Sequence, residues 1–474
     1  MSPSAPTGRV RVWGLGALLL LYALIAYVLP RPEAVSPQGW RLAAIFACVI
    51  AGMIVEPLPA SALVLLGLTA MVANGTPMRE ALGGFAEPSV WLVIVAMLIA
   101  RVMLDTGLAR RIALVFIRAV GRSSLGISYA LVMTDVTLAS GVPSITARSA
   151  GMLLPIARRI AELFDSSPGP TAGRLGTFLV AALYQGSAVA CAMFFTGQAS
   201  NILGASLAGK LVNVQVTWTS WLAAAIVPGL VSCAVVPWVV HRMLRPEVIR
   251  TPEAPRFAAG ELLKMGPMSR DERITLGVFA GVGLLWITTP WHHLDVTFVA
   301  LLGLGVLLVS GVMPWAAATS ERAAWDVFVW YGGLLRMGEL LNATGTTTVF
   351  AERVGGLFVG IPWLLVLLGV LIVYFYTHYA FASITAHVLA MFPPFVVLLV
   401  GIGVPAPLAV YSLLCLANLP AGLTHYGTTT GPILFGVGYV SFADWWRVGF
   451  VVSVVNLAVW LTVGFGWWKV VGLW

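Results

Sequence analysis

Long apolar runs constrain the fold of this chain more than any other feature of its sequence. About ten stretches, each of about 18 residues or more and nearly free of charge, are long enough to cross a bilayer as helices. Hydrophobic residues make up 59% of the 474-residue chain and charged residues only 10%. A transmembrane β-barrel would instead show alternating segments of about ten residues. We therefore predict an all-α polytopic membrane protein with about 11 transmembrane helices.

Positive charge gathers in the connections between the apolar runs. The formal net charge is +8, and many Lys and Arg residues lie before the first span, near 110–122, and in the hydrophilic stretch 242–273. Basic connections of this kind are typical of cytoplasmic loops. We therefore expect an inner-membrane protein with a cytoplasmic N-terminus, whose run at 13–30 is a first span rather than a cleaved signal. Nucleic-acid binding is a poor alternative, because no soluble basic domain exists to carry it.

The same short polar string occurs twice within apolar sequence. Ser-Ile-Thr-Ala-Arg occupies 144–148, and Ser-Ile-Thr-Ala-His occupies 383–387, 239 residues further on. Each string interrupts an apolar stretch, and the two arms of the first stretch are individually too short to span comfortably, so re-entrant hairpins are predicted over 124–157 and 361–401. A polar interruption repeated in the two halves of a chain points to the central binding site of a transporter built from inverted repeats.

A broken helix is predicted after each hairpin. Polar, glycine-containing strings near 196–201 and 423–432 interrupt the spans 176–209 and 407–440. Non-helical backbone at membrane depth survives only where protein or a water-filled cavity satisfies its polar groups. A re-entrant hairpin enters and leaves the membrane on the same side and adds no crossing. Counted in this way, the spans place the two hairpins on opposite faces of the membrane, which is the arrangement of an inverted-topology repeat.

Hydroxyl groups at the hairpin tips are candidate ligand-binding groups. The helix that begins at each tip would aim free N–H groups and a positive dipole end at a common point. The hydroxyls of Ser144, Thr146, Ser383 and Thr385 would add donors. Such a site suits an anion with two carboxylates, one held in each half.

Two residues could bring positive charge to this site. Arg148 lies about one helical turn beyond the first tip, and His387 holds the corresponding place in the second copy. A charged side chain at the bilayer centre costs about 2.5–3.5 kcal/mol on insertion scales, and such residues usually serve function. The alternatives are a structural ion pair with Asp135 and a satisfied structural histidine. His378 and His425 are weaker candidates, and any of these histidines would make transport pH-dependent.

Other function classes fit the sequence less well. It contains no His-Glu-x-x-His, no P-loop and no paired carboxylates at mid-membrane depth, so we expect no enzyme and no catalytic residue. Ser383 and His387, four residues apart, are more plausibly one face of a helix than a catalytic pair. An anion channel remains the second class, because re-entrant loops also build filters. Two inverted copies suit alternating access better than a multi-fold pore.

The chain resembles the divalent anion:sodium symporter (DASS) family. The strings at 143–157, 378–387, 423–432 and 435–439 carry the resemblance, which covers nearly the whole chain. It is similar to the branch that contains bacterial citrate/succinate and tartrate/succinate exchangers and the plastid 2-oxoglutarate/malate translocator. The resemblance implies a homodimer in the bilayer, with a scaffold domain and a transport domain that moves like an elevator.

The resemblance implies that scaffold and transport parts alternate along the chain. The parts are, in order, scaffold at 1–106, transport at 107–215 with an interfacial helix, span six with a cytoplasmic linker and scaffold at 216–343, transport at 344–440, and a last span at 441–474.

The family motif in each hairpin is Ser-Asn-Thr, which contacts substrate carboxylates and helps to form a sodium site. The match therefore implies a substrate role for the Ser and Thr of both strings. The break residues that would complete the two sites are Gly197, Ser200, Asn201 and the run Thr428, Thr429, Thr430, Gly431 and Pro432. Any remnant of a sodium site would involve Ser140, Gly197 and Ser200.

Ile145 and Ile384 stand where the family motif has Asn. Isoleucine has no side-chain donor, and losing an amide partner for a buried carboxylate costs about 1–3 kcal/mol. The departure argues against two intact sodium sites. Arg148 and His387 would then supply the positive charge that bound sodium provides in the family. We expect a secondary active transporter of organic anions, a di- or tricarboxylate exchanger that needs no cofactor and no sodium. The alternative is a symporter coupled to sodium or protons.

Overall fold

The computed structural model describes residues 8–474, apart from the side chains at 8–11, 347, 350 and 351, and this part of the chain is almost entirely helical. Its only β pairing within 8–474 is a single bridge between Ser123 and Arg250. Eight helices in that range are long and apolar enough to cross a membrane, and shorter apolar helices accompany them. The predicted all-α polytopic fold is confirmed.

The described part of the first half, from residue 8 onward, contains eleven α-helices. Five precede the first repeated element, which is the segment that contains a short helix, the hairpin and the broken helix. They are α1 (Gly8–Ala23), α2 (Pro37–Val55), α3 (Ala60–Ala73), α4 (Met78–Ala81) and α5 (Pro88–Asp105). The repeated element and the span that follows it comprise α6 (Leu108–Val120), α7 (Ser124–Ala139), α8 (Leu154–Leu163), α9 (Gly176–Met193), α10 (Ala199–Val212) and α11 (Trp218–Leu244).

The second half repeats this order after a linker helix. The linker helix and the helices before the second repeated element are α12 (Glu253–Met265), α13 (Arg270–Ile287), α14 (Thr289–His292), α15 (Val296–Val309), α16 (Trp315–Ser320) and α17 (Arg322–Ala343). The rest are α18 (Thr346–Gly355), α19 (Trp363–Tyr376), α20 (Ile384–Gly401), α21 (Ala406–Leu416), α22 (Gly431–Gly436), α23 (Phe442–Val459) and α24 (Phe465–Val470).

Two glycines mark the same turn in the two halves. Gly107 (φ +79°) and Gly345 (φ +78°) lie 238 residues apart, and each is the N-cap of a short helix, α6 or α18, that leads into a hairpin. Only glycine adopts this left-handed backbone without a steric penalty. The chain therefore makes the same sharp turn before each hairpin.

The hairpins differ in detail from their predicted bounds. The first descends through α7 and returns through a π-helical turn, Thr146–Leu153, and α8, so its second arm ends at Leu163 rather than at 157. The second uses α19 and α20. The linker, predicted only as a hydrophilic segment, contains α12, which buries Ala254 and Ala258 and lies against α6. These small residues allow the close contact between the two helices, and Phe257, Leu262 and Met265 of α12 pack against the core beside them.

Candidate functional site

A cavity of about 610 Å³ lies where both hairpin tips and both helix breaks meet. Six of the predicted site residues line it: Ser144, Thr146, Ser383, Thr385, Thr428 and Thr429. They come from positions separated by up to 285 residues in the sequence. The repeated strings therefore converge in space, as inverted repeats at a shared site require.

Each tip serine begins a helix in the same way. The hydroxyl oxygen of Ser144 accepts the N–H of Ala147 at 3.2 Å, and that of Ser383 accepts the N–H of Ala386 at 3.4 Å. These bonds are N-caps, and they leave each serine O–H free to donate. The first N–H groups of both helices have no intrahelical acceptor. Two helix N-termini with hydroxyl donors thus form the wall of the cavity, which is an arrangement that binds anions.

The two isoleucines at the centres of the strings fix the tips in the protein core. Ile145 and Ile384 border the cavity, yet each is only 2% exposed. Ile384 belongs to the main core cluster, and neither isoleucine side chain offers a group to an ion. The polar side-chain groups at 144–146 and 383–385 are consequently hydroxyls alone, and the backbone N–H groups are the other donors.

Thr146 joins the hairpin of the first half to the break of the second. Its hydroxyl lies 2.9 Å from that of Thr429 and 2.8 Å from that of Thr430. Thr430 itself is fully buried and lies behind the cavity wall. Thr428 is held from the other side by Tyr184, whose hydroxyl is 3.0 Å away. Thr385, by contrast, has no hydrogen-bond partner for its hydroxyl in the described part of the chain, so this group is available to a ligand.

The structure places Arg148 behind the cavity rather than in it. Its side chain has no solvent exposure, and its Nε donates to Asp135 at 2.7 Å. One terminal nitrogen donates to the carbonyl oxygens of Val142, at the tip, and Gly197, in the break, the latter at 2.8 Å. The other lies 3.1 Å from the Cys191 sulfur. The guanidinium therefore ties the hairpin tip to the helix break by hydrogen bonds, and it forms a buried ion pair with Asp135, the alternative that the sequence left open.

In the second half, two histidines form the contacts that correspond to those of Arg148. His387 approaches the carbonyl of Tyr374 at 2.9 Å and the hydroxyl of Thr377 at 3.2 Å through Nε2. His378 reaches the break, where its Nε2 lies 2.9 Å from the carbonyl of Gly427. Both side chains are fully buried, and the two rings are 5.0 Å apart. Since carbonyls only accept, each ring carries its proton on Nε2. Neither ring lines the cavity.

The remaining predicted residues support the first break from behind. Asn201 donates to the carbonyls of Cys191 and Phe194 at 2.8 and 2.9 Å, and accepts from Asn418 at 2.8 Å. The carbonyl of Ser140 accepts the Thr196 hydroxyl at 2.6 Å.

Two further break residues also lie outside the cavity lining. Ser200 is fully buried, and its hydroxyl has no partner within the described residues. Gly197 contributes its carbonyl to Arg148, and a Cβ there would lie 2.6 Å from the Cys191 oxygen, so the break requires glycine at this position.

The opposite wall of the cavity contains residues that the sequence did not single out. Glu56, Asp326 and Trp330 line it, together with Met53 and Met97. They belong to α2, α5 and α17 and to the connection after α2. Glu56 directly follows α2 and Asp326 lies in the second turn of α17, and nothing in the sequence showed that they line the same cavity as the hairpin tips.

The cavity communicates with the face that carries α12. A neighbouring space of about 420 Å³ shares Ser144 and Thr146 with the cavity and is bordered by Arg101 and Glu321. Arg101 lies near the end of α5, four residues before Asp105, and α6 follows directly and pairs with α12 through Arg110 and Glu261. We call this the linker face.

Comparison with known proteins identifies the family. The sodium:sulfate symporter transmembrane region matches residues 9–474. The chain belongs to this family. It is 42% identical over 458 residues to Dicarboxylate transporter 1, chloroplastic, of Arabidopsis thaliana, covering 95% of this chain and 82% of that protein. The putative malate transporter YflS of Bacillus subtilis is 39% identical over 478 residues, with both chains fully covered.

A more distant relative and a solved structure extend the likeness. The citrate/succinate antiporter of Escherichia coli is 31% identical over 488 residues, or 98% of each chain. The Alcanivorax borkumensis YdaH transporter has a TM-score of 0.51 at 16% identity, covering 97% of this chain and 98% of that one, and this likeness concerns the fold alone. The protein is a multi-pass membrane transporter and not an enzyme, as the sequence predicted.

Proposed function

We propose that this protein exchanges organic dianions across the inner membrane without sodium. The named relatives support small organic anions as cargo, since they include dicarboxylate and malate transporters and a citrate/succinate antiporter. The two helix N-termini and the free hydroxyls of the cavity suit two carboxylates, one at each tip. Ser144, Ser383 and Thr385 bind the anion, and Thr146, Thr428 and Thr429 shape the site between them.

The proposal that transport does not require sodium rests on the position of Arg148. Its guanidinium bonds backbone carbonyls of both the hairpin tip and the helix break, Val142 and Gly197. Carbonyl oxygens are hard donors that suit a metal cation, and here a permanent organic cation already holds them. Arg148 therefore acts as a tethered cation that stabilises the first half of the site, while the N–H groups of His378 and His387 stabilise the second half by hydrogen bonds to backbone carbonyls. Asn201, Ser140, Gly197 and Ser200 maintain the break rather than coordinate sodium.

Counterflow in proteoliposomes tests this function. Vesicles that contain the purified protein are loaded with succinate or left empty, and uptake of radiolabelled succinate is followed with and without a sodium gradient. Exchange without sodium predicts uptake only into loaded vesicles, unchanged by sodium. Sodium-driven uptake into empty vesicles would identify the symporter instead. Uptake that neither saturates nor responds to internal succinate would identify an anion channel.

We also propose that the transport parts move as an elevator against the scaffold of a homodimer. On the face opposite the linker face, Lys210 of α10 lies 3.1 Å from Glu87 and also pairs with Glu339 near the end of α17. Lys210 belongs to the predicted transport part and the two acids to the scaffold. Partly exposed ion pairs of this kind contribute about 0–1 kcal/mol each, so they hold one position of the moving part without making it permanent.

Cross-linking tests the movement. Lys210→Cys combined with Glu87→Cys, bridged by a bifunctional thiol reagent, should stop exchange, and cleavage of the bridge should restore it. The matched control joins two scaffold positions that are also in contact, Glu80→Cys and Arg336→Cys, which lie 3.1 Å apart through their native side chains. Continued exchange in fully bridged Lys210/Glu87 protein contradicts the elevator.

A further inference from the structure

Two acidic side chains face the hairpin tips across the cavity. Glu56 follows the end of α2, and Asp326 lies in the second turn of α17; both line the cavity and both are exposed. Neither takes part in a salt bridge within the described part of the chain. Asp326 accepts a hydrogen bond from the Ser61 hydroxyl, which positions the carboxylate without neutralising it.

The two walls of the cavity therefore differ in charge. No lysine, arginine or histidine lines the space among the described residues. The tip wall offers N–H and O–H donors, whereas the opposite wall offers apolar side chains and these two carboxylates. A space of about 610 Å³ is roughly 10 Å across, close to the Debye length of about 8 Å at physiological ionic strength. An anion held at the tips thus experiences the negative charge of the opposite wall.

We propose that Glu56 and Asp326 determine how much negative charge the site accepts, which selects dicarboxylates over tricarboxylates. This inference rests on the proposed function, because it assumes that carboxylates bind at the tips. Coulomb repulsion grows in proportion to the charge of the anion. The two acids therefore weaken binding of a trianion more than that of a dianion, and binding of a monoanion least.

The same repulsion keeps the anion on the moving part of the protein. An anion that formed strong contacts with both walls would join the hairpin tips to α2 and α17 and oppose their relative movement. Acidic residues on the fixed wall remove that possibility, and all favourable contacts of the anion then belong to the tips. The acids are thus specificity-determining residues that also favour release toward the linker face.

The test measures how KM depends on the charge of the substrate in Glu56→Gln/Asp326→Asn protein. Both replacements preserve size, and the amide introduced at position 326 can still accept the Ser61 hydroxyl. Exchange is assayed at about pH 8, where carboxylic acids are ionised, with lactate, succinate and citrate as probes of charge one, two and three. If the acids weaken binding about twofold per unit of charge, KM should fall about twofold, fourfold and eightfold in that order. High salt should shrink these differences.

A matched control and the wild-type protein separate the outcomes. Glu253→Gln removes one negative charge from the start of α12, on the linker face but outside the cavity, and should leave all three KM values unchanged. Equal changes of KM for the three probes, or none, would overturn the charge-selection proposal while leaving exchange intact. Wild-type protein that does not exchange succinate at all would instead contradict the proposed function.

Discussion

The two halves of the site attach a hairpin to a helix break through different chemical groups. In the first half, Arg148 pairs with Asp135 on α7, the first arm of the hairpin, and bonds the Gly197 carbonyl of the helix break. In the second half, His387 contacts the Tyr374 carbonyl on α19, the first arm of that hairpin, and His378 contacts the Gly427 carbonyl of the break. Tyr374, which His387 contacts, lies 239 residues beyond Asp135, so the equivalent position carries no charge.

This difference shows what a hairpin tip needs in order to stay attached to its break. Both halves place a donor against a backbone carbonyl of the break, at 2.8 Å in the first half and 2.9 Å in the second. Only the first adds a permanent positive charge, since a guanidinium does not lose its proton in proteins. We infer that the donor is the common structural requirement and that the charge is a special property of the first half.

The largest expected effect comes from separating the Arg148–Asp135 pair. Removing one partner of a buried ion pair costs about 3–5 kcal/mol, because the other charge remains buried. Arg148→Ala should therefore abolish exchange and lower the midpoint of thermal unfolding in detergent by many degrees. The corresponding His387→Ala leaves no buried charge behind and should lower the midpoint much less.

A double variant distinguishes stability from charge in that experiment. Asp135→Asn/Arg148→Gln keeps hydrogen-bonding groups of similar size and buries no charge, so the unfolding midpoint should recover. Exchange of succinate should remain low, because the tethered cation is gone. Wild-type exchange rates in this double variant would show that the first half, like the second, requires only a donor.

The next effect in size concerns the donor in the second half. His378→Leu leaves the buried Gly427 carbonyl without a partner, a loss of about 1–3 kcal/mol, and the exchange rate should fall about tenfold. His378→Gln retains an N–H donor and should keep most of the activity. Similar losses in both variants, measured by succinate counterflow at saturating substrate, would contradict the view that donation to the carbonyl is the common requirement.

The sequence predicted where the chain bends more reliably than where its side chains point. Short apolar arms in the first half and a polar string repeated in the second were sufficient to predict both hairpins and the convergence of Ser144 and Ser383. Arg148 was predicted one turn beyond the tip, but a long side chain there can point into the cavity or back toward Asp135. The choice depends on carbonyls of the break, which lie about 50 residues away.

Contacts between distant segments also escaped prediction. Glu56 and Asp326 carry no local signal, because a single acid at the end of a span is ordinary in a membrane protein. His378 was ranked below His387, since only the latter has a counterpart in the first string; its bond to Gly427 depends on how the second break folds. The division into scaffold and transport parts stays a prediction.

The smallest expected effect tests whether the two tip threonines play equivalent roles. The hydroxyl of Thr146 contacts Thr429 and Thr430, whereas that of Thr385 has no partner in the described part of the chain. Thr385→Val preserves shape and should raise the KM for succinate about fivefold, the loss of one hydrogen bond of about 1 kcal/mol to the anion. Its unfolding midpoint should not change, because no bond within the protein is lost.

Thr146→Val should show the opposite pattern. It removes the bridge between the first hairpin and the second break, so its unfolding midpoint should fall while KM changes less than in Thr385→Val. Thermal unfolding and succinate KM measured on the same preparations separate the two roles. Identical shifts in both quantities for the two variants would mean that the halves treat their threonines alike, and the difference between the halves would then be confined to Arg148 and the two histidines.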